Sequence, residues 1–195
     1  MALLQDEVTN WQVQSRDSPD SNPYPTLSLN NLFLLLKSTE KIDDAVTLEE
    51  MLKEIWKAHP SQCLRNQLDN GITEVLRGKG DEALKIFKDL ATKDEHYAEA
   101  WNKIAACEYM LGHMQFSLDA AEKTLELMPT HFQAHNGVGL CHFDEGRHEK
   151  ASEAFKRSID LDPWSPVSSK LAACIDMLQK GQTDKKEEDE NKKES

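Results

Sequence analysis

The chain has 195 residues and a formal net charge of −12, with 35 Asp and Glu against 23 Lys and Arg. That length makes one domain with appendages. The acidic balance excludes nucleic acid as a partner, because phosphate binding needs a basic face, and it disfavours an anionic membrane surface for the same reason. Apolar content of 38% is lean for a packed domain, as expected where tails and solvated helix faces dilute the core.

Residues 1–26 read as an extended leader. Asp17, Ser18, Pro19, Asp20, Ser21, Asn22, Pro23 and Pro25 cluster turn formers with little to bury. One Arg16 stands against Asp6, Glu7, Asp17 and Asp20, the reverse of an Arg-rich transit peptide, so the expected compartment is the cytoplasm. A mitochondrion or plastid is the alternative, should a cleaved segment precede this sequence.

Residues 27–60 predict a pair of helices. Leu29, Leu32, Phe33 and Leu36 share one face of the first, and Leu34 and Leu35 make it apolar nearly all round. At about ten residues it is too short to cross a bilayer, which needs roughly 20, so no membrane insertion is expected. After a break at Ser38 to Lys41, a second helix from Asp43 to His59 puts Val46, Leu48, Met51, Leu52, Ile55 and Trp56 on its apolar side, and Pro60 stops it. The pair is expected to cap the exposed end of the array that follows. Its surplus leucines raise a second expectation, a homodimer or partner contact through these helices.

Residues 64–165 repeat themselves three times, at 64–97, 98–131 and 132–165. Gly78, Gly112 and Gly146 are 34 apart, as are Gly71, Ala105 and Gly139, then Ala83, Ser117 and Ala151, then Phe87, Ala121 and Phe155. Within the second copy Trp101, Ile104, Ala105 and Glu108 form one helical stripe. Gly112 follows, where a residue able to take positive φ ends a helix at little cost. Phe116, Ala120, Ala121, Leu125 and Met128 form the second stripe, closed by Pro129, as Pro163 closes the third copy; Glu95 stands there in the first. Neither helix pair can bury its face alone, so neighbours must stack into a solenoid.

The segment resembles the tetratricopeptide repeat (TPR) family, most clearly at Ala98, Glu99, Ala100 and Trp101 followed by Gly112, and at Gly139, Gly146, Ala151, Phe155 and Pro163. The resemblance implies an all-α fold, a right-handed superhelix of three helix–turn–helix repeats, with residues 166–180 as a capping helix carrying Val167, Leu171, Cys174, Ile175 and Leu178 and Ser165 or Ser168 as its N-cap. Residues 181–195 hold no apolar side chain and are expected to be a disordered charged tail.

No catalytic, cofactor-binding or metal site emerges, so the chain is not expected to be an enzyme. Cys107 and Cys141 hold the same place in successive repeats, where a small buried residue suits packing. No Cys-x-x-Cys pair accompanies them or Cys63 and Cys174, and thiols without a secretory signal suit a reducing compartment. His131 and His135 are four apart, but the first precedes its helix and no third ligand lies at metal spacing. His142 and His148 flank a turn and read as packing or surface residues. Gly78-Lys79-Gly80 lacks the strand and the Gly-Lys-Ser/Thr ending of a phosphate loop.

What remains is a surface. In stacked pairs the first helix of each lines the concave side. Spacing assigns to that row Arg65, Leu68, Ile72, Val75 and Leu76 in the first copy, Glu99, Asn102, Ala106, Tyr109 and Met110 in the second, and Gln133, Asn136, Leu140, Phe143 and Asp144 in the third. Asn102 and Asn136 would pair with a peptide backbone, and Tyr109 and Phe143 would anchor a side chain. The expected function is an adaptor or scaffold whose groove binds a peptide or helical segment of another protein. The alternative is a structural subunit held in a larger assembly through its N-terminal helices. A third reading comes from the family, whose members hold acidic chaperone tails with a clamp of Lys, Asn, Asn, Lys and Arg. The matching places here carry Leu68, Ile72, Lys103, Gln133 and Gly137, which puts a co-chaperone role in doubt.

Overall fold

The computed structural model describes residues 29–179; the leader expected at 1–26 and the tail expected at 181–195 lie outside them. A hairpin of α1 (Leu29–Ser38) and α2 (Ile42–Lys57) comes first. Three pairs follow: α3 (Gln62–Leu76) with α4 (Gly80–Lys93), α5 (Ala98–Met110) with α6 (Met114–Leu127), and α7 (Phe132–Asp144) with α8 (His148–Leu161). Residues 168–179 are the described part of a last helix, α9, and no strand occurs among the described residues.

The three turns within pairs are built alike. Gly78, Gly112 and Gly146 have φ of 75°, 81° and 73°, where any side chain would strain the backbone. In each, the residue after the glycine donates its N–H back to a carbonyl five residues earlier: Lys79 to Glu74, His113 to Glu108, Arg147 to His142. This closes each inner helix without exposing its last carbonyls.

Within a pair the helices meet where one residue is small. A Cβ on Gly71 would lie 2.3 Å from Cε1 of Phe87, and one on Gly139 would lie 2.3 Å from Cε1 of Phe155. The second repeat reaches the same packing by another route, with Ala105 and Ala121 both buried. There the Ser117 hydroxyl crosses from α6 to donate to the Ala105 carbonyl at 2.8 Å, and the Cys141 thiol of the next repeat donates to Ser117 at 3.3 Å. All four cysteines are free, and Cys107, Cys141 and Cys174 are buried.

Three apolar positions differ from expectation. Phe116 is 65% exposed, and the buried line of α6 is Ser117, Leu118, Ala120, Ala121 and Thr124. That line is centred on Ser117 and Ala121, so Phe116, one residue or about 100° away, points outward. Leu125 is likewise only half-buried. Val46 is 53% exposed, because α2 buries Ala45, Leu48, Met51, Leu52 and Trp56 instead.

The larger difference is where the N-terminal hairpin goes. Instead of covering the outer end of the first repeat, α1 and α2 pack as one apolar cluster against Phe132, Met128, Leu161 and Trp164, at the connections between repeats. Trp56 stacks on His131 with ring centroids 3.9 Å apart and meets Phe132 edge-on. The Tyr97 hydroxyl donates to the Lys57 carbonyl, and His59 pairs with Asp94 at 2.8 Å. Tyr97, His131 and Ser165 are one interval apart, all buried, each just before the next inner helix. The hairpin is thus a brace along the connecting loops. It goes there because the stripe from Leu48 to Trp56 finds aromatic partners on that edge.

Candidate functional site

The inner helices α3, α5 and α7 divide into two halves. On the half next to the connecting loops the side chains are committed to one another. Glu99 is 2% exposed and carries the bonds that close this half. Lys103 Nζ lies 2.7 Å from its Oε1, and His131 Nε2 lies 2.9 Å from its Oε2. His131 Nδ1 accepts from the Ala134 N–H and so caps α7, which leaves the ring proton on Nε2 to donate to Glu99. Burial by itself would raise the Glu99 pKa, but the bonds from His131 and Lys103 prevail and lower it to about 2.

Each asparagine of this half gives an amide N–H to a neighbour, and the Asn136 carbonyl oxygen is buried without a partner among the described residues. Asn102 is buried and donates to Glu99 at 3.1 Å, while Asn136 donates to the Ser165 hydroxyl at 3.2 Å. Leu68 is fully buried in the core. Arg65 is turned back to the His59 carbonyl and the Gln62 side chain, and Gln133 is half-buried.

The other half, next to the turn glycines, is open and apolar. Ile72, Ala106 and Leu140 make one row, Val75, Tyr109 and Phe143 a second, and Leu76, Met110 and Asp144 a third. Helix α9 extends each by one more interval, with Cys174, Met177 and Leu178. Leu76 is 83% exposed and Met110 57%, while Leu140 and Phe143 are partly covered by Val167 and Leu171. Asp144 is the only charged residue in these rows and accepts from the Tyr109 hydroxyl at 2.6 Å. Burial first, and then that carboxylate, raise the Tyr109 phenol to about 12. Sequence spacing found the positions on α3, α5 and α7 but not those on α9; the pairing of Glu99 with His131 escaped it, since no local motif joins residues 32 apart.

No group of three or more His, Cys, Asp or Glu arranged for a metal occurs among the described residues. No helix among them is long and apolar enough to cross a membrane.

The family model described as "Tetratricopeptide repeat" matches residues 132–163, the third of the repeats. A TPR repeat-containing protein of Rhizobium etli is 27% identical over 156 residues, which cover 79% of this chain and 74% of that one. The first TPR of Spaghetti (RPAP3), solved bound to the HSP90 peptide SRMEEVD, superposes with a TM-score of 0.59 over 61% of this chain and 95% of its own, at 18% identity. Residues 132–163 thus match a tetratricopeptide repeat, and the fold is that of the TPR α-solenoids. As in that family, paired helices make an α-solenoid suited to protein–protein interaction. An Hsp70-Hsp90 organizing protein of Triticum aestivum is 29% identical over 139 residues, 66% of this chain but 24% of that relative, so the likeness spans about a quarter of its length.

Proposed function

We propose that this chain is a non-enzymatic adaptor whose inner groove holds a peptide or helical segment of another protein. The observation that carries the reading is the open half of the groove. Leu76 and Met110 stand exposed at equivalent places on adjacent repeats, with Ala106 also exposed beside them on the same helix as Met110. Contiguous exposed apolar side chains of this kind mark binding surfaces. We take residues 64–97, 98–131 and 132–165 as the repeats that form the groove, 27–60 as their brace and 166–180 as the closing helix. The four free thiols fit a reducing compartment such as the cytoplasm. The test is affinity purification of the tagged chain: Leu76→Glu with Met110→Glu is expected to lose the partner that the wild type retains. Retention of that partner by the double variant sinks the reading.

A second reading rests on the brace. Leu34, Ile42 and Val46 are 66%, 65% and 53% exposed on its outer side, which favours a homodimer or a larger assembly joined there. Loss of partner only in Leu34→Glu with Val46→Glu would support it. The co-chaperone reading draws on the relatives named for Hsp70 and Hsp90 and on the HSP90 peptide held by the RPAP3 repeat. At the places of the carboxylate clamp, however, Leu68 is buried, Ile72 and Gly137 are apolar, Gln133 is neutral, and Lys103 is already paired with Glu99.

A further inference from the structure

Resting on the groove as the binding surface, we propose that its occupant is an amphipathic α-helix whose apolar stripe is flanked by a lysine or arginine. Backbone chemistry selects the helix. An extended peptide needs partners for its N–H and C=O groups. The two asparagines that could supply them donate to Glu99 and to Ser165. The open rows offer apolar side chains apart from Tyr109 and Asp144, whereas a helix satisfies its own backbone and asks only for apolar contact. The rows also have a helix's dimensions. Packed helices lie about 10 Å apart, so the three steps from Leu76 to Leu178 span about 30 Å, the length of a helix of about 20 residues.

Charge selects the flank. The row that begins with Leu76 and Met110 reaches Asp144, an exposed carboxylate with acceptor capacity beyond its bond from Tyr109. A cation on the edge of the incoming stripe meets it; an acidic tail meets a like charge, on a chain of net charge −12.

The full-length chain can be titrated by fluorescence anisotropy with three labelled peptides. The first is an amphipathic peptide of about 20 residues with leucines at helical spacing and lysine flanks. The second replaces those lysines with glutamates, and the third is SRMEEVD. The lysine peptide is expected to bind tightest and to gain helical circular dichroism on binding. Met110→Glu should weaken it about tenfold or more. Asp144→Lys should reduce or invert the preference for lysine over glutamate flanks by a factor of about 2 to 5. Preferred binding of SRMEEVD, lost in Met110→Glu, overturns the amphipathic occupant but keeps the groove. A dimer in sedimentation that Met110→Glu dissociates gives the surface to a second copy. Peptide binding that appears only in Leu4→Glu with Trp11→Glu gives it to the chain's own N-terminal segment. Either result overturns the proposal. Should Met110→Glu and Leu76→Glu alter neither peptide binding nor the co-purifying protein, the groove itself falls.

Discussion

Gly139→Ala puts one methyl group where the structure has none to spare. The new Cβ would sit 2.3 and 2.4 Å from Cε1 and Cδ1 of Phe155, against an optimal carbon–carbon separation of about 3.5–4.0 Å. The Phe155 ring is fully buried, so it must move by about 1 Å into packed neighbours. Overpacking of this kind costs about 1–3 kcal/mol. Alanine's better helix propensity returns about 1 kcal/mol, and because the clash involves two ring atoms a net loss near 2 kcal/mol is expected. The second repeat supplies the control: Ala105 faces Ala121 there, and a methyl group is accommodated. In a Phe155→Leu background, which removes the ring edge, Gly139→Ala should therefore be neutral or stabilising. Urea unfolding followed by circular dichroism on the four chains of this cycle measures the coupling, expected at about 2 kcal/mol. An equal effect of Gly139→Ala in both backgrounds, or no loss in the wild type, would refute the account of how paired helices approach.

Two further predictions concern the brace and its surroundings. Trp56→Ala removes a buried ring from His131 and Phe132 and should cost about 3–5 kcal/mol; Trp56→Phe should cost far less, because the indole Nε1 has no hydrogen-bond partner among the described residues. Limited proteolysis at the α2–α3 connection, faster in the alanine variant alone, checks both. Asp162 is pushed up from 3.8 to about 6, by burial first and then by Glu49, against the opposing Trp164 N–H and Lys53. Between those values the folded chain keeps a proton that the unfolded chain releases, so stability falls as pH rises from about 4 to about 6. Asp162→Asn preserves an acceptor for the Trp164 N–H and should raise stability at pH 7 by about 1–3 kcal/mol, with no gain at pH 3. Thermal melts across that range test the sign.

The repeats were legible because every copy states the same requirement, and a small residue at Gly71, Ala105 and Gly139 has no other sensible place than a helix contact. Exposure was read less well where one helix carries apolar residues on neighbouring faces. Phe116 and Val46 are large and apolar, but the lines through Ser117 and Ala45 are the ones that meet another helix. The destination of the N-terminal hairpin was not legible at all. Its amphipathic pattern says that one side must be buried and is silent on what buries it; the choice was made by Tyr97 and His131, two unlike residues that share one place in the repeat. The groove was half legible. Spacing located both asparagines, but the acceptors that take up their amides, Glu99 and Ser165, become neighbours only after the chain stacks.

Helix α2 has 16 residues, a rod of about 24 Å. Joints spaced about 10 Å apart number three along such a rod, and the described residues hold three, at Tyr97, His131 and Ser165. Arrays of this kind ordinarily lengthen by copying a unit, yet a fourth unit here would leave one joint beyond the rod's reach. At its present length the α2 rod matches the three joints it lies beside, and no more.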